Sequence, residues 1–169
     1  MKLAVDVYYL EKSAYAAAVA FSSWKDEKHQ GIFGARLSNI SAYRPGAFYK
    51  RELPCILRLL QEHNLKPEFI IIDGYVFLDG DSQTGLGKHL YDALSGQVKI
   101  IGVAKRPFSN IPKKCELLRG DSRRPLYVTS AGVAQEEAKK KIKSMAGKHR
   151  VPYLLKKVDQ VCRKMAIQR

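Results

Sequence analysis

The period of the apolar positions changes several times along the chain. Leu3 to Leu10 (LAVDVYYL) is rich in β-branched and aromatic residues and predicts a first strand. Ala14 to Trp24 (AYAAAVAFSSW) suits a strand or a short helix by composition, and its position decides between them. After the polar Glu11-Lys12-Ser13 turn it pairs most simply as a neighbouring antiparallel strand. A third, weaker strand falls around Gly34 to Ile40. Tyr43-Arg44-Pro45-Gly46 reads as a turn, because Pro sets φ at the first inner position and Gly accepts a positive φ at the second. From Tyr49 to Asn64, Leu53, Ile56, Leu57 and Leu60 follow the i, i+3, i+4, i+7 stripe of an amphipathic helix. Pro54 is tolerable there only in the first turn, which puts Glu52 at the helix start.

Phe69 to Ile72 (FIII) is a short continuous apolar run that suits a strand buried on both faces, and Lys99 to Ala104 (KIIGVA) is another. Pro125 to Ala131 (PLYVTSA) predicts a further strand, and Gly85 to Ser95, Glu136 to Met145 and Tyr153 to Ala166 predict helices. Arg106 to Arg124, rich in Pro, Lys, Arg and Gly, reads as a long basic loop. Strands followed by interleaved helices and strands describe an α/β fold, a mixed sheet covered by helices. At 169 residues the chain fits one domain, 1–169, large enough to bury about two-thirds of the surface its unfolded form exposes.

Composition narrows the partners. Thirty Lys and Arg against sixteen Asp and Glu leave +14, which favours a polyanionic partner such as nucleic acid or anionic lipid. Nucleic acid, DNA or RNA, is the better fit, because no segment approaches the ~20 apolar residues of a membrane span and no basic amphipathic helix dominates. Cys55, Cys115 and Cys162 are odd in number and widely spaced, so they read as reduced packing residues of a cytoplasmic protein. The first ten residues turn polar too soon for a signal peptide.

The carboxylates carry the candidate chemistry. Asp6 lies between Val5 and Val7 inside the first strand, where it either faces solvent or is held near a cation. Asp73 ends FIII, and a carboxylate there points into the crevice where open α/β sheets bind ligands; alone, Asp73-Gly74 is simply a turn. With Glu52 and with Asp159 in the last helix, the set suits hard divalent cations. Phosphodiester hydrolysis uses such sites, where two Mg²⁺ roughly 4 Å apart bind the attacking and leaving oxygens. Lys105 closes KIIGVA and emerges beside Asp73 if the two strands are parallel, placed to stabilise phosphoryl charge. Asp79 and Asp81 read as turn residues; the basic residues in Lys105 to Arg124 and Lys139 to Lys157 are candidate phosphate contacts, with a solvated helix face the simpler reading of Lys139-Lys140-Lys141.

In order along the chain, DVYY (Asp6 to Tyr9), AYRPGAFYKRELP (Ala42 to Pro54), IIDG (Ile71 to Gly74), GLGKHL (Gly85 to Leu90), GVAK (Gly102 to Lys105), PLYV (Pro125 to Val128) and VPYLLKKVD (Val151 to Asp159) resemble the endonuclease V family. The resemblance implies a ribonuclease H-like mixed sheet with helices on both faces. It implies a Mg²⁺-dependent endonuclease, with Mn²⁺ as a substitute, that cuts the second phosphodiester 3′ to a deaminated purine, chiefly inosine, in DNA or RNA. It places metal ligands at Asp6, Glu52, Asp73 and Asp159, the assisting lysine at Lys105, and a base-gap wedge at Tyr43-Arg44-Pro45-Gly46. Arg51, Gly74, His89 and Lys105 join the wedge as nucleic-acid contacts.

The sequence departs from the family pattern at Tyr75-Val76, at Asp79-Gly80-Asp81 and at Ala131-Gly132-Val133-Ala134. Two alternatives therefore stay open: a nucleic-acid-binding module that has lost cleavage, and a nuclease for a different modified or distorted substrate. The oligomeric state is open, a monomer among the options.

Overall fold

The computed structural model describes residues 1–40 and 49–168. Strands β1 (Lys2–Leu10), β2 (Ser13–Phe21) and β3 (Gly31–Ser38) form an antiparallel meander. Helix α1 (Tyr49–Glu62) leads into β4 (Phe69–Asp73), and α2 (Leu86–Ala93) into β5 (Lys99–Ala104). A 3₁₀ turn at Lys113–Cys115 precedes β6 (Glu116–Leu117); β7 (Leu126–Ala131), α3 (Gln135–Ser144) and α4 (Tyr153–Ile167) follow. The sheet order is β3-β2-β1-β4-β5-β7-β6, with β1, β4 and β5 mutually parallel at its centre. The parallel centre is reached through α1 and α2, as parallel neighbours require a crossover.

Side-chain alternation divides the core in two. Ala4, Ile71, Val103 and Val128 pack with α3 and α4, whereas Leu3, Val5, Ile70, Ile72 and Ile100 pack with α1 and α2. FIII is continuous because each of its faces meets a helix layer. All nine residues of β2 are buried. Its alanines send Ala14, Ala16, Ala18 and Ala20 to one layer and Ala17 to the other, so helices can approach both faces of an otherwise antiparallel strand.

Two local expectations are corrected. Pro54 is not in the first turn of α1 but one turn further in and exposed, where it leaves the Lys50 carbonyl without its helical N–H partner. The segment from Arg106 to Arg124 is not a plain loop. It contains the 3₁₀ turn and β6, and it buries Arg119 to 5 % exposure. The Arg119 guanidinium donates to the carbonyls of His149 (2.6 Å), Gly147 (3.1 Å) and Met145, pinning the α3–α4 connection.

Candidate active site

Register explains which acidic side chains meet. Val5 of β1 is paired with Ile72 of β4, so Asp6 and Asp73 are the next positions on adjacent strands. Ala4 and Ile71 face the α4 layer, and two residues further on Asp6 and Asp73 face it too. Asp73 pairs with Val103, and Lys105 lies two residues beyond on that same face. Helix α4 brings Asp159 down onto them. Asp6, Asp73, Lys105 and Asp159 line one cavity of about 20 Å³ over an apolar floor that includes Ile71, Val103 and Val158, room for about one water-sized group. Glu52 does not line this cavity. It comes from α1, on the other layer, and reaches the group electrostatically around the sheet end.

The charges are poorly compensated. Burial, then the charge of Asp73, and the charge and hydrogen bonding of Asp159 push Asp6 up to about 7, opposed by its bond from the Val7 N–H at 2.9 Å. Glu52 is pushed up to about 7 by burial and by Asp6 and Asp73, with Arg51 opposing. Asp73 is raised by the desolvating crevice walls, against the lowering charge of Lys105, whose Nζ is 3.7 Å from its Oδ2. Asp159 accepts from Arg163 Nε at 3.0 Å. Asp6 faces the α4 layer rather than open solvent, and among the described residues it is in no ion pair with a side chain. The donor set is all oxygen and electron-rich, the chemistry of a hard divalent ion. Among the described residues no three acidic, imidazole or thiol groups stand close enough together to hold a metal ion as they are placed.

The other sequence candidates are placed as follows. His89 on α2 stacks on Tyr49 at 3.7 Å and 17°, joining the starts of α1 and α2. The Arg51 guanidinium lies over the Tyr9 ring at 4.1 Å. Gly74 turns the chain with φ 143° as its N–H donates to the Val103 carbonyl at 3.2 Å. Tyr43, Arg44, Pro45 and Gly46 lie outside the described residues. Asp79 is a turn residue, accepting the N–H groups of Asp81, Ser82 and Gln83. Asp81 does more than turn: Lys114 Nζ contacts both of its oxygens, at 2.6 and 2.7 Å.

Thr129 and Arg150 carry no sequence signal that singles them out, and Tyr75 stands out in the sequence only as a departure from the family pattern. Thr129 Oγ1 accepts the Val76 N–H at 2.8 Å in the core. Tyr75 donates its hydroxyl to the Arg106 carbonyl at 2.6 Å. Arg150 donates to the carbonyls of Lys105, Pro125 (2.7 Å) and Arg124 (2.9 Å), fixing the end of β5 against the segment that enters α4.

Acidic side chains at the carboxyl ends of central parallel strands, in a mixed sheet with helices on both faces, define a ribonuclease H-like α/β protein. The endonuclease V family profile matches residues 3–142, and the chain belongs to the endonuclease V family. Endonuclease V from Streptomyces avermitilis is similar to it at 26 % identity and a TM-score of 0.78, covering 98 % of this chain and 81 % of that one. Ciona intestinalis endonuclease V, in complex with a 24mer DNA containing an inosine followed by a ribo-adenosine, aligns at 22 % identity and TM-score 0.79, over 99 % and 86 % of the two chains. Human endonuclease V aligns at 21 % and 0.78, over 99 % and 84 %. Comparison with curated proteins gives no match.

Proposed function

We propose that this endonuclease is Mg²⁺-dependent and hydrolyses a phosphodiester on the 3′ side of a deaminated purine, chiefly inosine, in DNA or RNA. The observation that carries the reading is the convergence of Asp6, Asp73, Asp159 and Lys105 on one cavity, with Glu52 coupled to them from the other helix layer. Asp6, Glu52, Asp73 and Asp159 would hold Mg²⁺, or Mn²⁺ in its place. When bound, the metal supplies Lewis-acid stabilisation of phosphoryl charge and lowers the pKa of an attacking water. Lys105 opposes the rise of the Asp73 pKa caused by burial and sets an ammonium beside the position where negative charge would develop on the phosphate. The inosine complex of the Ciona relative supports the base choice. A binding-only module is the poorer reading, because three inward-facing carboxyls without a bound cation repel one another.

One observation favours a change of substrate within the same chemistry. The loop after Asp73 is tied to the loop after Lys105 by Tyr75–Arg106 and by Asp81–Lys114, so the rim departs from the family pattern as a built unit. Inosine-containing and matched unmodified single-stranded DNA and RNA, incubated with Mg²⁺ or EDTA, test both readings beside an Asp73→Ala variant. We expect Mg²⁺-dependent cleavage confined to inosine strands and lost in the variant. Equal cutting of control strands would move the assignment to a different substrate, and no Mg²⁺-dependent cleavage of any strand would end the enzyme reading.

A further inference from the structure

At the β6 edge of the sheet, α3 and the 3₁₀ turn enclose an open groove of about 550 Å³ lined by Lys113, Lys139, Lys140, Lys143, Glu116 and Glu136. The lysine run of α3 does not form one solvated face. Lys141 points away, its ammonium 5.5 Å from the rings of both Trp24 and Phe69. Glu136, Lys139, Lys140 and Lys143 share the i, i+3, i+4, i+7 side that opens on the groove. Lys139 donates to the Lys114 carbonyl at 2.9 Å and lies 3.8 Å from Glu136, which holds the start of α3 against the 3₁₀ turn and occupies one of the two glutamates. Lys113, Lys140 and Lys143 are exposed and, among the described residues, in no ion pair. Three outward ammoniums therefore face a single remaining carboxylate, Glu116.

The groove is also in line with the cavity. Ala104, Tyr127 and Glu116 form one row across β5, β7 and β6. Two inter-strand steps of about 4.8 Å put Glu116 about 10 Å from the residue preceding Lys105. That span matches about three nucleotides stacked about 3.4 Å apart. Leu118, 59 % exposed at the groove wall, offers an apolar contact to an unstacked base.

We propose that this groove is an accessory binding track for the nucleic-acid strand cut at the candidate active site, gripping its phosphates a few nucleotides away from the scissile bond. The inference rests on the nuclease reading for its substrate, but it is measured by binding rather than cleavage. Fluorescence anisotropy in EDTA, over a range of salt, compares the wild type with Lys140→Glu/Lys143→Glu. A control variant, Lys25→Glu/Lys28→Glu, makes the same charge change in the β2–β3 connection, at two exposed lysines that do not line the groove. With labelled single strands of about 16 nucleotides, longer than a minimal site of about 4, the groove variant should bind about tenfold more weakly. Its slope of log affinity against log salt should be shallower by about 1.4, two phosphate contacts at about 0.7 each.

Equal losses in the groove and control variants would overturn the proposal, as would a wild type that binds no strand. If the groove variant alone loses binding while the wild type fails to cut with Mg²⁺, the track stands and the nuclease reading falls. If the wild type cuts and the two variants bind alike, the reverse holds.

Discussion

Lys105 Nζ and Asp73 Oδ2 are 3.7 Å apart, on side chains 41 % and 43 % exposed. Pairs as exposed as this typically contribute no more than about 1 kcal/mol to folding, so the pairing has little structural value. Its chemical value is larger, since Lys105 is the main influence lowering the pKa of Asp73 against its desolvation. Replacing Lys105 with Met should leave the thermal midpoint nearly unchanged while kcat for cleavage falls by about 10²-fold, the scale of losing one charge-stabilising donor. Asp73 then titrates higher, and the acid limb of the pH–rate profile should move to higher pH. Steady-state kinetics across pH check both effects; a large fall in thermal stability with an unmoved acid limb would make Lys105 a structural residue instead.

Between β5 and α2 the chain leaving Asp73 passes with almost no clearance. A Cβ on Gly102 would stand 2.5 Å from the Gly74 carbonyl oxygen and 2.9 Å from Val76 N, and one on Gly87 would stand 2.8 Å from the Val76 Cα. These glycines of GVAK and GLGKHL thus allow close backbone approach, and Thr129 closes the contact by accepting the Val76 N–H. Gly102→Ala should destabilise the protein by roughly 1–3 kcal/mol, the usual range for overpacking. It should lower activity further by displacing the loop that follows Asp73, which denaturant titration and cleavage assays on the same preparation separate.

Most strands and helices were legible, because FIII and KIIGVA are apolar runs of strand length, too short for helices, and the α1 stripe is unbroken. The shared face of Asp6, Asp73 and Lys105 follows from period two once the parallel order β1-β4-β5 is known. The position of Glu52 on the other layer, the fold of 106–124 and the work of Gly102 and Thr129 were not legible. Each depends on which strand lies next to which, and local sequence does not carry that.

For the whole molecule, the carboxylates couple folding to pH. Asp6 and Glu52 have ordinary values of 3.8 and 4.5, and folding raises both to about 7. Between those limits the folded protein binds more protons than the unfolded chain, so their contribution to stability is greatest below about pH 4, declines as pH rises to about 7, and is level above that. The +14 charge acts oppositely, since acid increases self-repulsion. The test is therefore a difference: the thermal midpoint of Asp6→Asn/Glu52→Gln minus that of the wild type should grow from about pH 5 to about pH 8 without metal. A difference that stays flat or shrinks would show that these carboxyls are not held near neutrality by the fold. On the proposed function, Mg²⁺ would bind the ionised carboxylates and compete with their protons. It should raise the wild-type midpoint more at the higher pH and have little effect on the double variant. Because Asp6, Glu52, Asp73 and Asp159 belong to β1, α1, β4 and α4, an ion they share would join elements from both ends of the chain, and its stabilisation would appear in the global unfolding transition rather than in a local one.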